Sequence, residues 1–284
     1  MQSTILSTSH RRQRVQSAET GLSILKALTR LGGAASLTTI ANEAQENTAK
    51  VHRYLASFVQ EGFVAQNPQT HHYHLSVEAI HLGLAALRQC DPVRLGEGAL
   101  LNMRASLEAT CFIAVMGNLG PTVLRIEEPP LPVTVNIRAG SVMSLLWSAT
   151  GRVFLAFACD TDIGQRAERE YEASSVEQRA LLASGPAAIT AVCNEVRRQG
   201  CAIVHDVLLR GISAVSAPVF DADGHVAATL TALGASNGFD LRLDGKICPQ
   251  IVREAADISR AMGHRADQGG AGQVGKEMGS VSTH

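Results

Sequence analysis

A helical pattern between Asn47 and Gln60 brings two cations and several small polar side chains onto one surface. Val51, Leu55 and Phe58 recur at steps of four and three, so they share one face of a helix. The cations fall on the opposite face, since successive residues are turned by about 100°. Such a face suits a DNA major groove, where side chains bond base edges and contact phosphates. The sequence predicts a DNA-reading surface made of Thr48, Ala49, Lys50, His52, Arg53 and Ser57.

Residues that cap and end helices delimit this helix and its predecessors. Asn47 or Thr48 can cap its start, and Gly62 can end it. Ser36 can cap a shorter preceding helix, and Ser17 a first helix. The buried stripe of the first helix is expected to be Leu22, Leu25 and Leu28.

A two-stranded wing is predicted directly after the reading helix. Phe63–Gln66 and Tyr73–Leu75 have the pattern of short strands, and residues 67–70 supply the turn. His71 and His72 are expected near the wing tip, close to DNA phosphates. A solvated amphipathic helix beside a hairpin, with no role in DNA binding, would give the same local pattern. The rest of the chain is needed to distinguish the two interpretations.

Charge is distributed unevenly along the 284 residues. Residues 1–89 carry eight Lys/Arg and five Asp/Glu, whereas residues 90–284 carry seventeen and twenty-one. A mildly basic first part and an acidic second part fit a DNA-reading domain joined to a domain that does not bind DNA.

Cysteine spacing and hydropathy exclude several other classes. The six cysteines form no C-x-x-C pair, which argues against a zinc-binding fold and for reduced thiols. The sequence contains no apolar run long enough to span a membrane and no secretory signal core. We therefore expect a cytoplasmic protein without a membrane partner.

Changes of composition and period predict five parts. After residue 90 the pattern alternates helices with strands, including a strand at 133–137 and a helix that begins at Pro186. A single helix is expected from Pro92 to about Thr110, weakened by Gly96 and Gly98. The parts are a disordered basic arm (1–14), the DNA-reading domain (15–76), a linker helix (77–90), an α/β domain (91–263) and a disordered tail (264–284).

Several longer segments occur in a specific order and spacing. The first part contains VQSAETGLSIL, LTTIA, KVHRYLASFVQEGFV and YHLS. The second contains SATGRVFLAF and EVRRQGCAIVHDVLLRGISAVSAPVFDADGHVAATLTALG, followed by a closing helix. With these segments the chain, from Val15 to Met262, resembles the IclR family of bacterial transcription regulators.

The resemblance implies an α+β chain with a defined domain order. This order is an N-terminal winged helix-turn-helix domain, a linker helix and a C-terminal α/β effector-binding domain of GAF/profilin-like fold. It also implies a homodimer or a dimer of dimers on a double-stranded, palindromic operator, and a small organic effector that changes operator affinity. Control of a catabolic operon is the expected role.

The turn between the first two helices of the reading module departs from the family pattern. The family usually has glycine, an apolar residue, proline and small polar residues there, whereas this chain has residues 45–50, QENTAK. Gln45 adopts the positive φ of a glycine less readily. We therefore expect a reshaped turn and an operator that differs from the family's commonest sequence.

The resemblance places an effector pocket at a helix start, at the segment after an aspartate and at the last strand. A helix start offers N–H donors that suit a carboxylate. Ala214 and Leu233 replace polar residues common in the family, which favours an aromatic or branched acid over a small keto acid. Core packing is an alternative role for Trp147, and backbone hydrogen bonding for Asp206. The predicted pocket residues are Trp147, Ser148, Ala149, Thr150, Gly151, Asp206, Ala214, Val215, Thr231 and Leu233.

Three competing functions have distinct sequence requirements. An enzyme is disfavoured because G-x-S-x-G, P-loop and Rossmann motifs are missing and Ser213 and Ser216 have no evident base partner, so neither a catalytic residue nor a cofactor is predicted. A metal-responsive regulator would use His71, His72 and His74, but no cysteine or carboxylate set accompanies them. A ligand-independent winged-helix DNA binder would not respond to small acids.

Overall fold

Helix α1 (Gln16–Arg30) is the first element in the computed structural model, which describes residues 14–130, 137–158, 160–182 and 187–265. The chain divides into two units, residues 1–89 and 90–284, each of which is described by itself. Three predictions fall wholly or almost wholly outside the described residues. They are the basic arm, the terminal tail and the strand at 133–137; Pro186 also lies outside.

The first unit combines helices with a small antiparallel sheet of order β1-β3-β2. The two predicted wing strands are confirmed, and Ala34 and Ala35 add a third strand by pairing with His74 and Tyr73. The elements after α1 are β1 (Ala34–Ala35), α2 (Leu37–Ala44), α3 (Thr48–Gln60), β2 (Val64–Gln66), β3 (Tyr73–Leu75) and α4 (Val77–Leu87).

For α1, the predicted cap is wrong and the predicted buried stripe is right only in part. The helix begins at Gln16, with Val15 in the capping position, so Ser17 lies inside the first turn and caps nothing. Leu22 is 59% exposed, whereas Ile24 is fully buried. Of the predicted stripe, Leu28 is buried and Leu25 is partly buried against the same core, and the buried stripe runs through Gly21, Ile24, Ala27 and Leu28.

Caps predicted from residue type are confirmed where the side chain reaches a free backbone N–H. Asn47 accepts a hydrogen bond from Ala49 N at 2.8 Å, and Ser36 accepts one from Thr39 N at 3.2 Å. Asp91 accepts one from Val93 N at 2.9 Å and precedes Pro92. These local bonds fix where α2, α3 and the first helix of the second unit begin.

The second unit is a five-stranded antiparallel sheet of order β5-β4-β8-β7-β6 with helices packed on it. Its elements are α5 (Pro92–Leu95), α6 (Glu97–Leu107), β4 (Thr110–Gly117), β5 (Gly120–Glu127), α7 (Ala149–Phe157), α8 (Thr161–Ala173), α9 (Val176–Arg179), α10 (Ala188–Gln199), β6 (Ala202–His205), β7 (Ile212–Phe220), β8 (Val226–Ala235) and α11 (Ile247–Ala261).

The predicted single helix after Pro92 is wrong, because it divides into α5 and α6 at Gly96. A Cβ atom at Gly96 would lie 2.2 Å from Ile113 Cδ1 and 3.0 Å from the carbonyl oxygen of Pro92. A side chain at residue 96 would force Ile113 to shift and would crowd the Pro92 carbonyl oxygen, so glycine lets the α5–α6 junction lie close to β4.

The pleat of the sheet separates two buried faces. Val215 and Leu230 lie on the face that packs with Met103 of α6 and Ile251 of α11. Side chains one residue further along each strand, such as Thr231, lie on the face that packs with α7. The second face carries the site described below.

No helix in the described ranges combines the length and the apolar character needed to cross a membrane.

We expect Leu230→Ala to lower the free energy of unfolding by about 2–5 kcal/mol, because it leaves a cavity in a fully buried part of the sheet. The control is Leu243→Ala at a leucine that is 46% exposed, with an expected change within about 0.5 kcal/mol. Urea denaturation followed by circular dichroism measures both. Equal losses in the two variants would contradict the assignment of Leu230 to the core.

Candidate functional site

Helix α3 presents a polar face opposite its buried stripe. Val51 and Leu55 are fully buried, and Phe58 is partly buried against the same core. Five of the six predicted DNA-reading residues are exposed, namely Thr48, Ala49, His52, Arg53 and Ser57. The spacing of the apolar residues thus leaves a continuous solvent-facing surface on this helix.

The two cations on this face differ in their surroundings. The Lys50 ammonium lies 2.9 and 3.0 Å from the two carboxylate oxygens of Glu46, one turn earlier. Arg53 is exposed, and within the described residues its guanidinium forms no ion pair. Arg53 can therefore meet a base or phosphate without losing a partner, whereas Lys50 has to share its charge with Glu46.

A shallow cleft on the surface of α3 is lined by Lys50, Arg53, Tyr54 and Ser57. Tyr54 was not predicted, although its position one helical step from Lys50 and Ser57 was a usable signal. Ser57 donates its hydroxyl to the Arg53 carbonyl oxygen at 3.3 Å. That weak bond leaves the hydroxyl able to turn towards a ligand.

The turn before α3 keeps the left-handed conformation despite its unusual sequence. Gln45 has φ 53° and ψ 41°, and its N–H bonds the Asn42 carbonyl oxygen at 3.1 Å. The Glu46 N–H bonds the Ala41 carbonyl oxygen at 3.0 Å and closes the end of α2. The expected reshaping of this turn is therefore not observed, and Gln45 occupies a conformation that glycine adopts more easily.

The wing tip carries exposed histidines. His71 has φ 57°, and its N–H bonds the Asn67 carbonyl oxygen at 2.9 Å. Asn67 Oδ1 accepts from the N–H groups of Gln69 and Thr70, which holds the turn. His71 and His72 are both exposed. Within the described ranges, no wing histidine belongs to a group of three side chains placed to share a metal ion.

The second unit contains an apolar cavity between α7, the sheet and the β6–β7 connection. Its enclosed volume is about 30 Å³, and about 400 Å³ when the space at its opening, which includes open solvent, is counted. A ligand larger than about two water molecules therefore requires the lining side chains to move. Six predicted pocket residues line it: Ser148, Ala149, Thr150, Ala214, Thr231 and Leu233. The pairing of Ala214 with Leu233 across β7 and β8 brings two of these residues together.

A chain of hydroxyl groups lies beside this cavity. Thr150 Oγ1 lies 3.0 Å from Thr231 Oγ1, and Thr231 donates to Ser216 Oγ at 2.8 Å. All three side chains are almost fully buried. Each hydroxyl therefore has a hydrogen-bond partner, and each can exchange that bond for one to a ligand.

The start of α7 is fixed by a carboxylate of α8. Glu170 accepts hydrogen bonds from Ser144 Oγ, Leu145 N and Leu146 N at 2.5, 2.9 and 3.0 Å. Ser148 caps the helix by accepting from Gly151 N at 2.9 Å. Among the described residues, no acceptor bonds the N–H groups of Ala149 and Thr150, so the first turn offers two donors and the positive end of the helix.

Four predicted pocket residues do not line the cavity, namely Trp147, Gly151, Asp206 and Val215. Val215 lies on the opposite face of the sheet, because successive residues of β7 alternate. Trp147 is 5% exposed and packs in the core beneath α7, which was its alternative role. Asp206 bonds backbone and a serine, as its alternative role required. Gly151 packs against Ser144 and Leu145, where a Cβ atom would lie 2.0 Å from the Ser144 carbonyl oxygen.

Seven lining residues were not predicted. They share no spacing in the sequence, because they come from three separate stretches that only the fold brings together. These residues are Phe112, Ile137, Met143, Val204, Leu208, Leu209 and Ile212.

A serine in the second unit does have a histidine neighbour, which corrects one premise of the sequence interpretation. His205 Nδ1 lies 2.9 Å from Ser213 Oγ, and Ser236 Oγ lies 2.9 Å from Ser213 Oγ on its other side. Ser236 in turn donates to Asp206, and this bond is the main reason why the pKa of Asp206 lies below its usual value. Ser213 is fully buried, so its hydroxyl cannot reach a substrate in solvent.

Comparison with known proteins places both units in one family. Residues 17–68 match the IclR helix-turn-helix domain, and residues 99–260 match the bacterial transcriptional regulator IclR C-terminal domain. The chain belongs to the IclR family. The predicted fold class, a winged helix-turn-helix domain followed by an α/β domain, is thereby confirmed.

Named relatives and a solved structure agree with this family. The crystal structure of HmgR from Pseudomonas aeruginosa is 38% identical, covers 89% of this chain and all of its own chain, and has a TM-score of 0.76. The HTH-type transcriptional regulator BhcR of Paracoccus denitrificans is 27% identical over 82% of this chain and 83% of its own length. The transcriptional repressor IclR of Escherichia coli is 21% identical over 88% and 90%. The chain is a DNA-binding transcription regulator of the IclR type and not an enzyme.

We expect Gly151→Ala to destabilise the second unit by roughly 1–3 kcal/mol, because the added methyl group meets backbone atoms of Ser144 and Leu145. The control is Gly164→Ala in α8, where a Cβ atom has nothing described within 4 Å. Alanine there should stabilise by about 0.5–1 kcal/mol, since it restricts the unfolded chain. Thermal unfolding of the two variants should give shifts of opposite sign, and shifts of the same sign would refute the close approach.

Proposed function

We propose that this regulator reads its operator mainly through Arg53 and adjusts operator affinity when a small organic acid enters the cavity beside α7. The observation that carries the first half is the position of Arg53, exposed on the polar face of α3 without an ion-pair partner among the described residues. An arginine at such a position can bond guanine bidentately in the major groove. His71 and His72 contact the phosphate backbone near the wing tip in this account.

The observation that carries the second half is the pairing of an apolar cavity with a helix start. The N–H groups of Ala149 and Thr150 and the end of the helix dipole favour a carboxylate. Leu233 and Phe112 supply an apolar wall, and Thr150 and Thr231 supply hydroxyl groups. A benzoate-sized acid with an aromatic or branched body suits this combination better than a keto acid of three carbons, whose small body would leave the wall unfilled. We infer control of a catabolic operon from this ligand class.

Helix α4 supports a dimeric arrangement on DNA. No residue of this helix is buried, although it carries five large apolar side chains that are 46–63% exposed: Val77, Ile80, Leu82, Leu84 and Leu87. Val77, Ile80, Leu84 and Leu87 recur at steps of three and four and so share one face, and an exposed apolar face of this kind marks an interaction site. One reading helix covers only a half-site, so a two-fold pair of chains would match a palindromic operator.

We expect Arg53→Ala to weaken operator binding by about 1–3 kcal/mol and to relax specificity at one base pair, because a bidentate base contact is lost. Lys50→Ala should weaken binding to all sequences alike and lower the salt dependence by about one counterion. Lys26→Ala, at an exposed lysine of α1, serves as the matched control. Fluorescence anisotropy with operator and scrambled duplexes at several salt concentrations measures these effects. Wild-type affinity in both α3 variants would remove α3 as the reading helix.

We expect Thr150→Val to weaken the binding of benzoate-type acids by roughly 1 kcal/mol, because it replaces a hydroxyl group by a methyl group of similar size. Isothermal titration of the full chain with benzoate, phenylacetate, pyruvate and glyoxylate measures this effect and ranks the ligands. Val204→Thr, a comparable exchange in another lining residue, tests whether any change of polarity in the wall acts alike. Tighter binding of pyruvate or glyoxylate than of the aromatic acids would contradict the proposed effector class.

We expect the double variant Ile80→Glu and Leu84→Glu to weaken self-association at micromolar concentration, because it introduces charge into the apolar face of α4. Leu119→Glu, in a turn residue that is 84% exposed, is the control. Sedimentation velocity separates monomer from dimer. If wild type sediments as a monomer and its footprint covers one half-site, the dimer proposal fails.

A further inference from the structure

The connection between β6 and β7 contains two leucines that line the cavity and are also partly exposed to solvent. This β6–β7 loop runs from Asp206 to Gly211, between the end of β6 and the start of β7. Leu208 and Leu209 line the cavity, yet they remain 39% and 49% exposed. Both leucines therefore have apolar surface left to bury when a ligand fills the space beside them.

Asp206 holds the two ends of this loop together. Its carboxylate accepts a hydrogen bond from Gly211 N at 3.0 Å, and its own N–H bonds the Ile212 carbonyl oxygen at 3.1 Å. Asp206 has φ 56°, a left-handed conformation that aspartate tolerates better than most residues. These bonds close the loop through one residue that is itself absent from the cavity lining.

Ser236, the residue after β8, forms two hydrogen bonds to the β6–β7 loop. Ser236 Oγ donates to Asp206 Oδ1, and Ser236 N donates to the Gly211 carbonyl oxygen at 2.8 Å. The bond from Ser236 is the first cause of the lowered pKa of Asp206, so the carboxylate is ionised at neutral pH. Hydrogen bonds to an ionised acceptor are stronger than neutral ones. Ser236 and Asp206 therefore act as a latch between the loop and β8.

We propose that the β6–β7 loop is the specificity-determining wall of the effector cavity, in which Leu208 and Leu209 contact the apolar body of the effector and Asp206 positions them without touching it. This inference rests on the proposed function and adds to it the residues that select the ligand. It also assigns Asp206 a positioning role, since its carboxylate bonds Gly211 and Ser236.

Two probes separate the loop from the acid group of the effector. They are 4-ethylbenzoate and 4-ethylphenol, which share an apolar body and differ in charge at pH 7. Their affinities are measured by calorimetry on the full chain of wild type, of Leu208→Ser with Leu209→Ser, and of a control with Leu119→Ser and Leu243→Ser. The control leucines are exposed and lie outside the cavity lining.

The double variant at 208 and 209 should weaken both probes by roughly tenfold or more, because apolar contact area is lost, and the control should bind as wild type does. Wild-type affinity of the double variant overturns the inference, while acid binding by wild type leaves the proposed function standing. If wild type binds 4-ethylphenol and not 4-ethylbenzoate, the effector is not an acid. A tenfold loss of 4-ethylphenol affinity in the double variant would then still support the loop as the specificity-determining wall. If neither probe binds wild type, the proposed effector class and the inference both fail.

Hydrogen exchange of the free protein tests the latch without any ligand. Ser236→Ala and Asp206→Asn should each speed exchange in residues 206–212 by roughly tenfold, since each removes a charge-assisted bond. Asparagine tolerates the left-handed conformation, so the second variant keeps the backbone. The effect of the double variant on exchange should be smaller than the sum of the two single effects, because both substitutions act on the same contact. Asp240→Asn, which alters a carboxylate bonded to Arg242 N and Lys246 N, is the control.

A direct ligand role for Asp206 would give a different pattern. In that case Asp206→Asn would weaken 4-ethylbenzoate, whereas exchange in residues 206–212 and the behaviour of Ser236→Ala would match wild type. That result overturns the latch. Faster exchange in both single variants, with a parallel loss of affinity for both probes, supports it.

Discussion

The alternation of side chains along β7 and β8 is the constraint on which the second unit depends. One set of residues, including Val215 and Leu230, fills the core shared with α6 and α11. The adjacent residue in each strand, Ala214 or Thr231, points to the face that α7 covers, where the cavity lies. Because the period is two, no residue can serve both faces. A shift of one residue in either strand would exchange the cavity wall with the core, so the site exists only while this register is kept.

Features encoded over a few residues could be predicted from the sequence. Ser36, Asn47 and Asp91 cap helices because their side chains reach an N–H group two or three residues away. The buried stripe of α3 followed equally well from its spacing. The cavity lining could not be predicted in the same way, since Phe112, Ile137 and Leu208 meet only through the tertiary fold. The prediction of Val215 as a pocket residue is wrong because the pleat of β7 sends Val215 and its sequence neighbour Ala214 to opposite faces.

Hydrogen bonds, an ion pair and core packing explain the other features that the sequence does not show. Asp206 was expected beside the effector, but Gly211 and Ser236 occupy its carboxylate. Lys50 is predicted to contact DNA, and Glu46 pairs with its ammonium one turn away. Trp147 contributes volume to the core below α7 and does not reach the cavity. In each case the groups around the residue decide what it can contact. Such contacts can give the sites of this chain their own selectivity within the fold that the family shares.

A regulator of this type works only if the effector binds the free protein and the operator-bound protein with different affinities. The difference between these two binding free energies is the largest change in operator affinity that the effector can cause. The most direct test is a closed binding cycle at fixed salt concentration. The affinity of 4-ethylbenzoate is measured for the free protein and for the operator-bound protein, and operator affinity is measured with and without the acid. The operator should change the affinity of the acid by a certain factor, and the acid should change the affinity of the operator by the same factor. The account predicts that this factor differs from one. Equal affinity of the acid for the free and operator-bound protein would contradict it.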